Sequence, residues 1–301
     1  MKQTKSILSF LSILLIPTLY AEQRVTPLYR TRSQGVNAAR HLVGWTNYID
    51  KSHQKDLYGA IAITPEYTRS FKSENISKCL FGSCNKITIS GSRVADRAAT
   101  DWLADYFYLP TDFQSTISFK PKIDNFIVDF NFYLGLDRWY KGLYFALYAP
   151  LVHSRWDLNF DECVAEAGIL GYDPGYFNAD SVGIDRSNLL NSFAEFANGL
   201  SLMDTDTVNT VVFQGLRKAK ISSKRRIRTR FSDVRMDFGW NCLQRDDYQM
   251  GIYMQVAAPT SNKPDGIYLF EPLTGNHNWE LGLGMRGFYK LRWQTLQCTD
   301  W

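Results

Sequence analysis

Residues 124–158 read DNFIVDFNFYLGLDRWYKGLYFALYAPLVHSRWDL, two long alternating arms. The pattern predicts a joining turn of about three residues. In the first arm Phe126, Val128, Phe130, Phe132, Leu134 and Leu136 fall on one face, and Asn125, Asp129, Asn131, Tyr133 and Gly135 on the other. In the second, Leu143, Phe145, Leu147, Ala149 and Leu151 oppose Gly142, Tyr144, Ala146 and Tyr148, with Trp139 and Tyr140 at the near end. One face suits lipid and the other water. A transmembrane strand needs about 9 to 11 residues, whereas soluble strands run to about 5 to 6. The stretch therefore predicts a membrane-spanning β-hairpin.

The rhythm returns along the chain. Leu57, Gly59, Ile61 and Ile63 alternate with Tyr58, Ala60, Ala62 and Thr64, which predicts a strand over 56–64, and Thr116–Lys120 predicts a short strand before the hairpin. A second hairpin follows, in which Val234, Met236, Phe238, Trp240 and Cys242, then Met250, Ile252, Met254, Val256 and Ala258, oppose polar or small neighbours. Trp279, Leu281, Leu283 and Met285 alternate with Glu280, Gly282, Gly284 and Arg286, and Phe288 to Trp293 extend that strand.

The expected fold is all-β: an antiparallel transmembrane β-barrel with short helices in its loops. Its lipid-facing residues are Phe126, Val128, Phe130, Phe132, Leu143, Phe145, Leu147, Met236, Phe238, Trp240, Ile252, Met254, Leu281 and Leu283. Its lumen-lining residues are Asp129, Asn131, Tyr133, Arg235, Asp237, Asn241, Gln255, Glu280 and Arg286, with mixed signs that argue against strong ion selectivity. A soluble sandwich can also leave charges on a solvated face, so alternation alone keeps that architecture open. Strand length favours the barrel.

Composition fits. The chain has 301 residues, of which 45% are hydrophobic and 15% aromatic, with a mean hydropathy of −0.26. So polar a chain enters a bilayer only if its apolar residues take alternate positions. A net charge of +4 gives no reason to expect nucleic acid. Residues 1–21 read as a secretory signal peptide, with basic Lys2 and Lys5, an apolar run from Ile7 to Leu19 and a cleavage site after Ala21. Residues 22–55 then form an N-terminal periplasmic or lumen segment, and 56–301 the barrel, with a long external loop at 159–207.

Arg93–Phe107, Asn188–Asn198 and Val36–Ile49 are expected as short helices, capping a pore mouth, folding into its lumen or lying in ordinary loops. The stretch RKAKISSKRRIRTR, 217–230, shares parity with Val234–Cys242. If the strand runs unbroken, Lys224, Arg226 and Arg228 point outward at lipid headgroups; a solvated turn or bulge would re-aim them. Of the five cysteines, Cys79 and Cys84 have a spacing that permits a disulfide but does not require one. No metal site, cofactor or catalytic constellation is expected. His153 and Ser154 are adjacent on a strand, so they point to opposite faces and cannot act as base and nucleophile.

The blocks TDFQSTISFKPKIDNFIVDFNFYLGLD, KGLYFALYAPLVHSRWDL, GIDRSNLLNSF, MDFGWNCLQRDDYQMGIYMQVAAPTSNKPDGIYLFEP and GNHNWELGLGMRGF resemble uncharacterised porin-like outer-membrane β-barrel proteins of Dependentiae-type Gram-negative bacteria. The resemblance covers most of the chain after the leader. It implies integral outer-membrane localisation and a barrel architecture and carries no catalytic residues to transfer, and the chain is not expected to be an enzyme. In that family further strands follow the part matching Trp279–Tyr289, whereas this chain ends at Trp301, so the resemblance implies a barrel incomplete at its C-terminus. The expected function is passive diffusion of small solutes. The expected partners are outer-membrane lipid, small solutes and, as an option, further copies of the chain, with no nucleic acid. The alternatives are a non-conducting surface barrel whose loops bind a host or environmental ligand, and a secreted soluble β-sandwich.

Overall fold

The computed structural model describes residues 48–51, 56–82, 85–203 and 211–290. The signal-peptide reading, Cys84, and the Val36–Ile49 helix up to residue 47 lie outside them. Tyr48 and Ile49 belong to a turn in which Asp50 takes a positive φ of 55°.

The chain is mostly β and its ladders are almost all antiparallel. Six strands carry the large sheet: β1 (Tyr58–Arg69), β5 (Lys122–Gly135), β6 (Leu143–Asp157), β11 (Val234–Gln244), β12 (Tyr248–Ala258) and β13 (Glu280–Tyr289), hydrogen-bonded in the order β1-β5-β6-β11-β12-β13. A seventh, β10 (Arg226–Phe231), shares the edge of β6 with β11, while among the described residues β8 (Leu202–Met203) and β9 (Val211–Phe213) pair only with each other. No ladder joins β13 to β1 among the described residues, so the described sheet is open.

The turn joining β5 to β6 is longer than the pattern predicts. It takes residues 136–142, with Asp137 Oδ1 accepting from the Gly142 N–H at 2.9 Å and Gly142 at φ 81°.

The two faces of the large sheet are opposite in chemistry and in exposure. Outward rows cross every strand, one of them Ile61, Phe132, Leu147, Met236, Val256 and Leu281, another Gly59, Leu134, Phe145, Phe238, Met254 and Leu283. Exposure reaches 74% at Ile61 and 87% at Leu283. The inward rows are Ala62, Asn131, Tyr148, Arg235, Ala257 and Glu280; Ala60, Tyr133, Ala146, Asp237, Gln255 and Gly282; and Tyr58, Gly135, Tyr144, Gly239, Tyr253 and Gly284. Asp129 is 0% exposed, and Asn131 and Tyr133 are 1% exposed. The apolar rows are thus the uncovered ones.

In the last of these rows tyrosine and glycine alternate strand by strand. The Tyr58, Tyr144 and Tyr253 rings lie where a Cβ at Gly135, Gly239 and Gly284 would stand. Each ring folds flat over the neighbouring strand and occupies the space that its glycine leaves, so large side chains crowd a concave face without clashing.

Contacts to one short segment reveal the curl of the sheet. Tyr58 on β1 accepts from the Lys51 N–H, while Arg286 on β13 grips Asp50. Five inter-strand spacings of about 4.8 Å would separate those edge strands by about 24 Å in a flat sheet. Two side chains cannot close that gap onto adjacent residues, so the sheet wraps around the segment.

A smaller sheet packs at the end of β5 and β6 away from the 136–142 turn. It comprises β2 (Lys86–Ser90), β3 (Trp102–Leu103), β4 (Gln114–Ser118) and β7 (Asp161–Glu166), in the order β3-β2-β4-β7. With helices α1 (Ser73–Phe81) and α2 (Phe193–Asn198) it surrounds an ordinary apolar core that includes Ile89, Phe113, Ile117, Phe119, Leu190 and Phe193. Ile123 and Trp156, at the ends of β5 and β6, join that core.

This module corrects several expectations. The strand expected at Thr116–Lys120 is β4 and belongs to the small sheet. Over its described residues the stretch 159–207 is no free loop, because β7 pairs with β4 and Phe160, Leu190 and, from α2, Phe193 and Ala197 join the core. Arg93–Phe107 is not a helix: Asp101 Oδ2 accepts from Ser90 Oγ at 3.0 Å and from the Ala98 N–H at 3.2 Å, which fixes a turn. Trp102 and Leu103 then extend as β3, and only Ala104–Phe107 coils, as a 3-10 turn. The Asn188–Asn198 helix is real only from Phe193, where Ser192 caps the Glu195 N–H and Gly199 ends it in the left-handed region. Cys79 is a free thiol, as are Cys163 and Cys242.

Candidate functional site

The inner face of the large sheet is the candidate site. Alternation sends Asp129, Asn131 and Tyr133 inward from β5, Tyr144 and Tyr148 from β6, Arg235, Asp237 and Asn241 from β11, and Arg286 from β13. Side chains fill the space between them. The Tyr133 and Tyr144 rings stack at 5.5 Å, the Arg286 guanidinium lies 3.9 Å from the Tyr144 ring centroid, and Arg235 sits 5.3 Å from that of Tyr148. Gln255 Nε2 donates to Asp237 Oδ1 at 2.9 Å.

At the centre stands Asp50. Its Oδ1 accepts from the Tyr133 hydroxyl at 2.8 Å and from Asn241 Nδ2 at 3.0 Å, and pairs with the Arg286 guanidinium. Gln244 Nε2 donates to the Lys51 carbonyl at 2.8 Å. Among the described residues the Tyr48–Lys51 segment joins the sheet through such side-chain bonds and through none between main chains. It is held against the inner face by the sheet's side chains.

The opposite end of the inner face closes differently. Trp156 Nε1 donates to Ser154 Oγ at 2.9 Å, Ser154 Oγ to Asn125 Oδ1 at 2.6 Å, and Asn125 Nδ2 to Thr68 Oγ1 at 3.2 Å. Beyond this polar row Trp156 packs against Phe270 and the apolar core begins.

Eight of the nine expected lumen residues sit within this inner face. Glu280 shares that face by register but is exposed rather than buried: it stands at the first position of β13, where it accepts from Asn276 Nδ2 at 3.0 Å. All fourteen expected lipid-facing residues lie on the outer face. Trp240 there donates to the Lys141 carbonyl at 3.1 Å and meets the Tyr140 ring edge-on, so an aromatic cluster marks the level of the 136–142 turn.

Of Lys224, Arg226 and Arg228, the outward reading is overturned for the two arginines. Phe231 pairs with Leu151 and Arg235 with Tyr148, so four residues advance on one strand against three on β6. The extra residue is a bulge at Ser232–Asp233 that flips the parity. Arg226 and Arg228 consequently share a face with Trp156 and Ser154. Arg226 stacks 3.5 Å over the Tyr268 ring and Arg228 pairs with Asp265 at 3.0 Å, while Lys224 precedes the strand and is exposed.

The bulge is held by a buried polar knot. Asp233 accepts from Ser261 Oγ at 2.7 Å and from the main-chain N–H groups of Asn276 at 2.6 Å and His277 at 3.2 Å; Ser232 Oγ donates to the Thr274 carbonyl at 2.6 Å. His153 and Ser154 point to opposite faces, His153 Nδ1 meeting Thr229 Oγ1 at 2.7 Å.

Asp50, Tyr144 and Tyr148 escaped the sequence reading of the site. Tyr144 and Tyr148 were visible as alternate residues of β6, but their partners depend on register. Nothing local marks Asp50. No family model, curated protein or solved structure matches the chain.

Proposed function

We propose that this protein is an integral β-barrel-type protein of the outer membrane, porin-like, whose lumen is shut at rest by its own Tyr48–Lys51 segment. One observation carries the reading: across all six strands the outer face is apolar and bare, while the inner face is charged, polar and buried. Soluble monomers rarely expose contiguous apolar patches beyond a few hundred Å², and a sandwich would cover this face with a second layer. Strands of 10 to 15 residues suit a span that needs about 9 to 11. Single-chain barrels of this kind begin at about 8 strands, so closure calls for strands beyond the six in register, from elsewhere in the chain or from a second copy.

The filled interior favours a gated passage over an open one. Solutes cross only when the plug leaves. A surface-binding role is the second reading, supported by the apolar-core module that seats against one end of the sheet. Refolding the full chain into detergent micelles and recording planar-bilayer currents separates the two. The gated reading predicts little current at rest and stepwise currents once Asp50 is replaced, whereas silence in both states, with intact heat-modifiable folding, favours surface binding. Full recovery in a detergent-free soluble fraction would overturn both.

A further inference from the structure

We infer that the Asp50 seat is a carboxylate-binding site, filled in this conformation by the chain's own side chain and open to a small monocarboxylate solute when the plug withdraws. The inference rests on the plugged-barrel reading and names the solute class it would serve.

The seat is built from rigid parts. Three donors on three different strands converge on one oxygen, Asp50 Oδ1: the Tyr133 hydroxyl, Asn241 Nδ2 and the Arg286 guanidinium. None of them belongs to the plug. Arg286 is held flat on Tyr144, which is itself stacked on Tyr133 and seated over Gly239, so the cation cannot swing away when its anion leaves. Its Nε is buried and has no hydrogen-bond partner among the described residues. A guanidinium with a spare planar donor is matched to a bidentate carboxylate.

The occupant, by contrast, is held only by side chains of the sheet among the described residues. Asp50 sits at φ 55°, a conformation that a residue other than glycine adopts at a cost. Among the described residues its segment adds no main-chain ladder to the sheet. Without Asp50, the inner face still carries Arg235 and Arg286 together with Asp129 and Asp237. A monoanion restores both the acceptor and the charge that Asp50 brought to Arg286, a neutral amide of the same shape restores an acceptor without the charge, and a dianion adds a further charge beside two carboxylates.

The test is chemical rescue in the full chain. Refolded Asp50→Ala in micelles is heated with sodium acetate, with acetamide, and with sodium chloride at equal ionic strength. Acetate is expected to raise the unfolding midpoint by at least about 2 °C over chloride, acetamide to give no rise, and Asp50→Ala/Arg286→Ala to lose the acetate effect. Wild type, with its seat filled, is expected not to respond. Equal effects of acetate and acetamide, or an undiminished acetate effect in the double variant, would overturn the inference. If Asp50→Ala does not fold unaided, refolding yield against acetate concentration becomes the readout: restoration by acetate alone supports the site, and restoration by neither or by both overturns it. Failure of the membrane reading is seen separately, as folding that needs no detergent, and leaves the rescue measurable in buffer.

Discussion

The Tyr144 ring lies across Gly239 on the neighbouring strand, in the space a β-carbon would occupy. The same pairing joins Tyr58 to Gly135 and Tyr253 to Gly284, so a single row carries it across the whole sheet. Gly239→Ala should therefore act as overpacking and cost about 1–3 kcal/mol. Trimming the ring should offset it: in a Gly239→Ala, Tyr144→Ala double-mutant cycle the coupling is expected at about 0.5–3 kcal/mol. Thermal unfolding of the refolded protein measures both, and additive losses would show that the ring does not depend on the glycine.

Leu147 sits in the outward row between Phe132 and Met236. Leu147→Arg is expected to cost about 2–4 kcal/mol of folding stability in lipid vesicles, as a cation at mid-bilayer does. On a water-exposed sheet the same change would be close to neutral. Urea unfolding in vesicles distinguishes the two outcomes.

Asp233 gathers donors from Ser261, Asn276 and His277 around the bulge. Asp233→Ala takes this acceptor from the Ser261 hydroxyl and the Asn276 N–H, a loss of about 1–3 kcal/mol each at most, while the His277 N–H keeps Ser261 Oγ at 2.9 Å. It should also free the parity of β10. A cysteine-reactive probe at Arg228→Cys, which shares the inner face with Ser154, should then react at an altered rate. Unchanged stability and unchanged labelling would show that the bulge holds without the knot.

Glu271, outside the strands, has its carboxyl pushed above the ordinary 4.5 by burial, with a bond from the Gly266 N–H opposing the shift. A raised carboxyl favours the folded state when protonated. Its contribution is present below the unfolded value and is lost as pH rises through the folded one. Glu271→Gln should flatten that decline. Unfolding midpoints followed upward from below pH 4.5 should therefore fall less steeply in the variant, and parallel curves would contradict the assignment.

The outer face was legible because its signal is local: a period of two needs only the next few residues, and Phe126 to Leu134 or Met250 to Met254 display it unaided. The inner residues followed by parity, as with Asp129, Asn131 and Asp237. What depended on register was not legible. One extra residue at Ser232–Asp233 reverses every side chain upstream of it, and so Arg226 and Arg228 were aimed the wrong way. The Tyr–Gly row emerges only when six strands are aligned. Arg93–Phe107 was misread because its alanines favour a helix, while Asp101 commits the main chain to a turn. Asp50, from a segment with no periodicity, has meaning only through the three strands that bind it.

The central claim is that the apolar rows face lipid. In a background without the five native cysteines, single cysteines at Met254 and Gln255 carry an environment-sensitive fluorophore, and the refolded protein is placed in vesicles of brominated lipid. The account predicts strong quenching at 254 and little at 255, the two-residue rhythm read directly from the bilayer. Equal, weak quenching at both positions would contradict it.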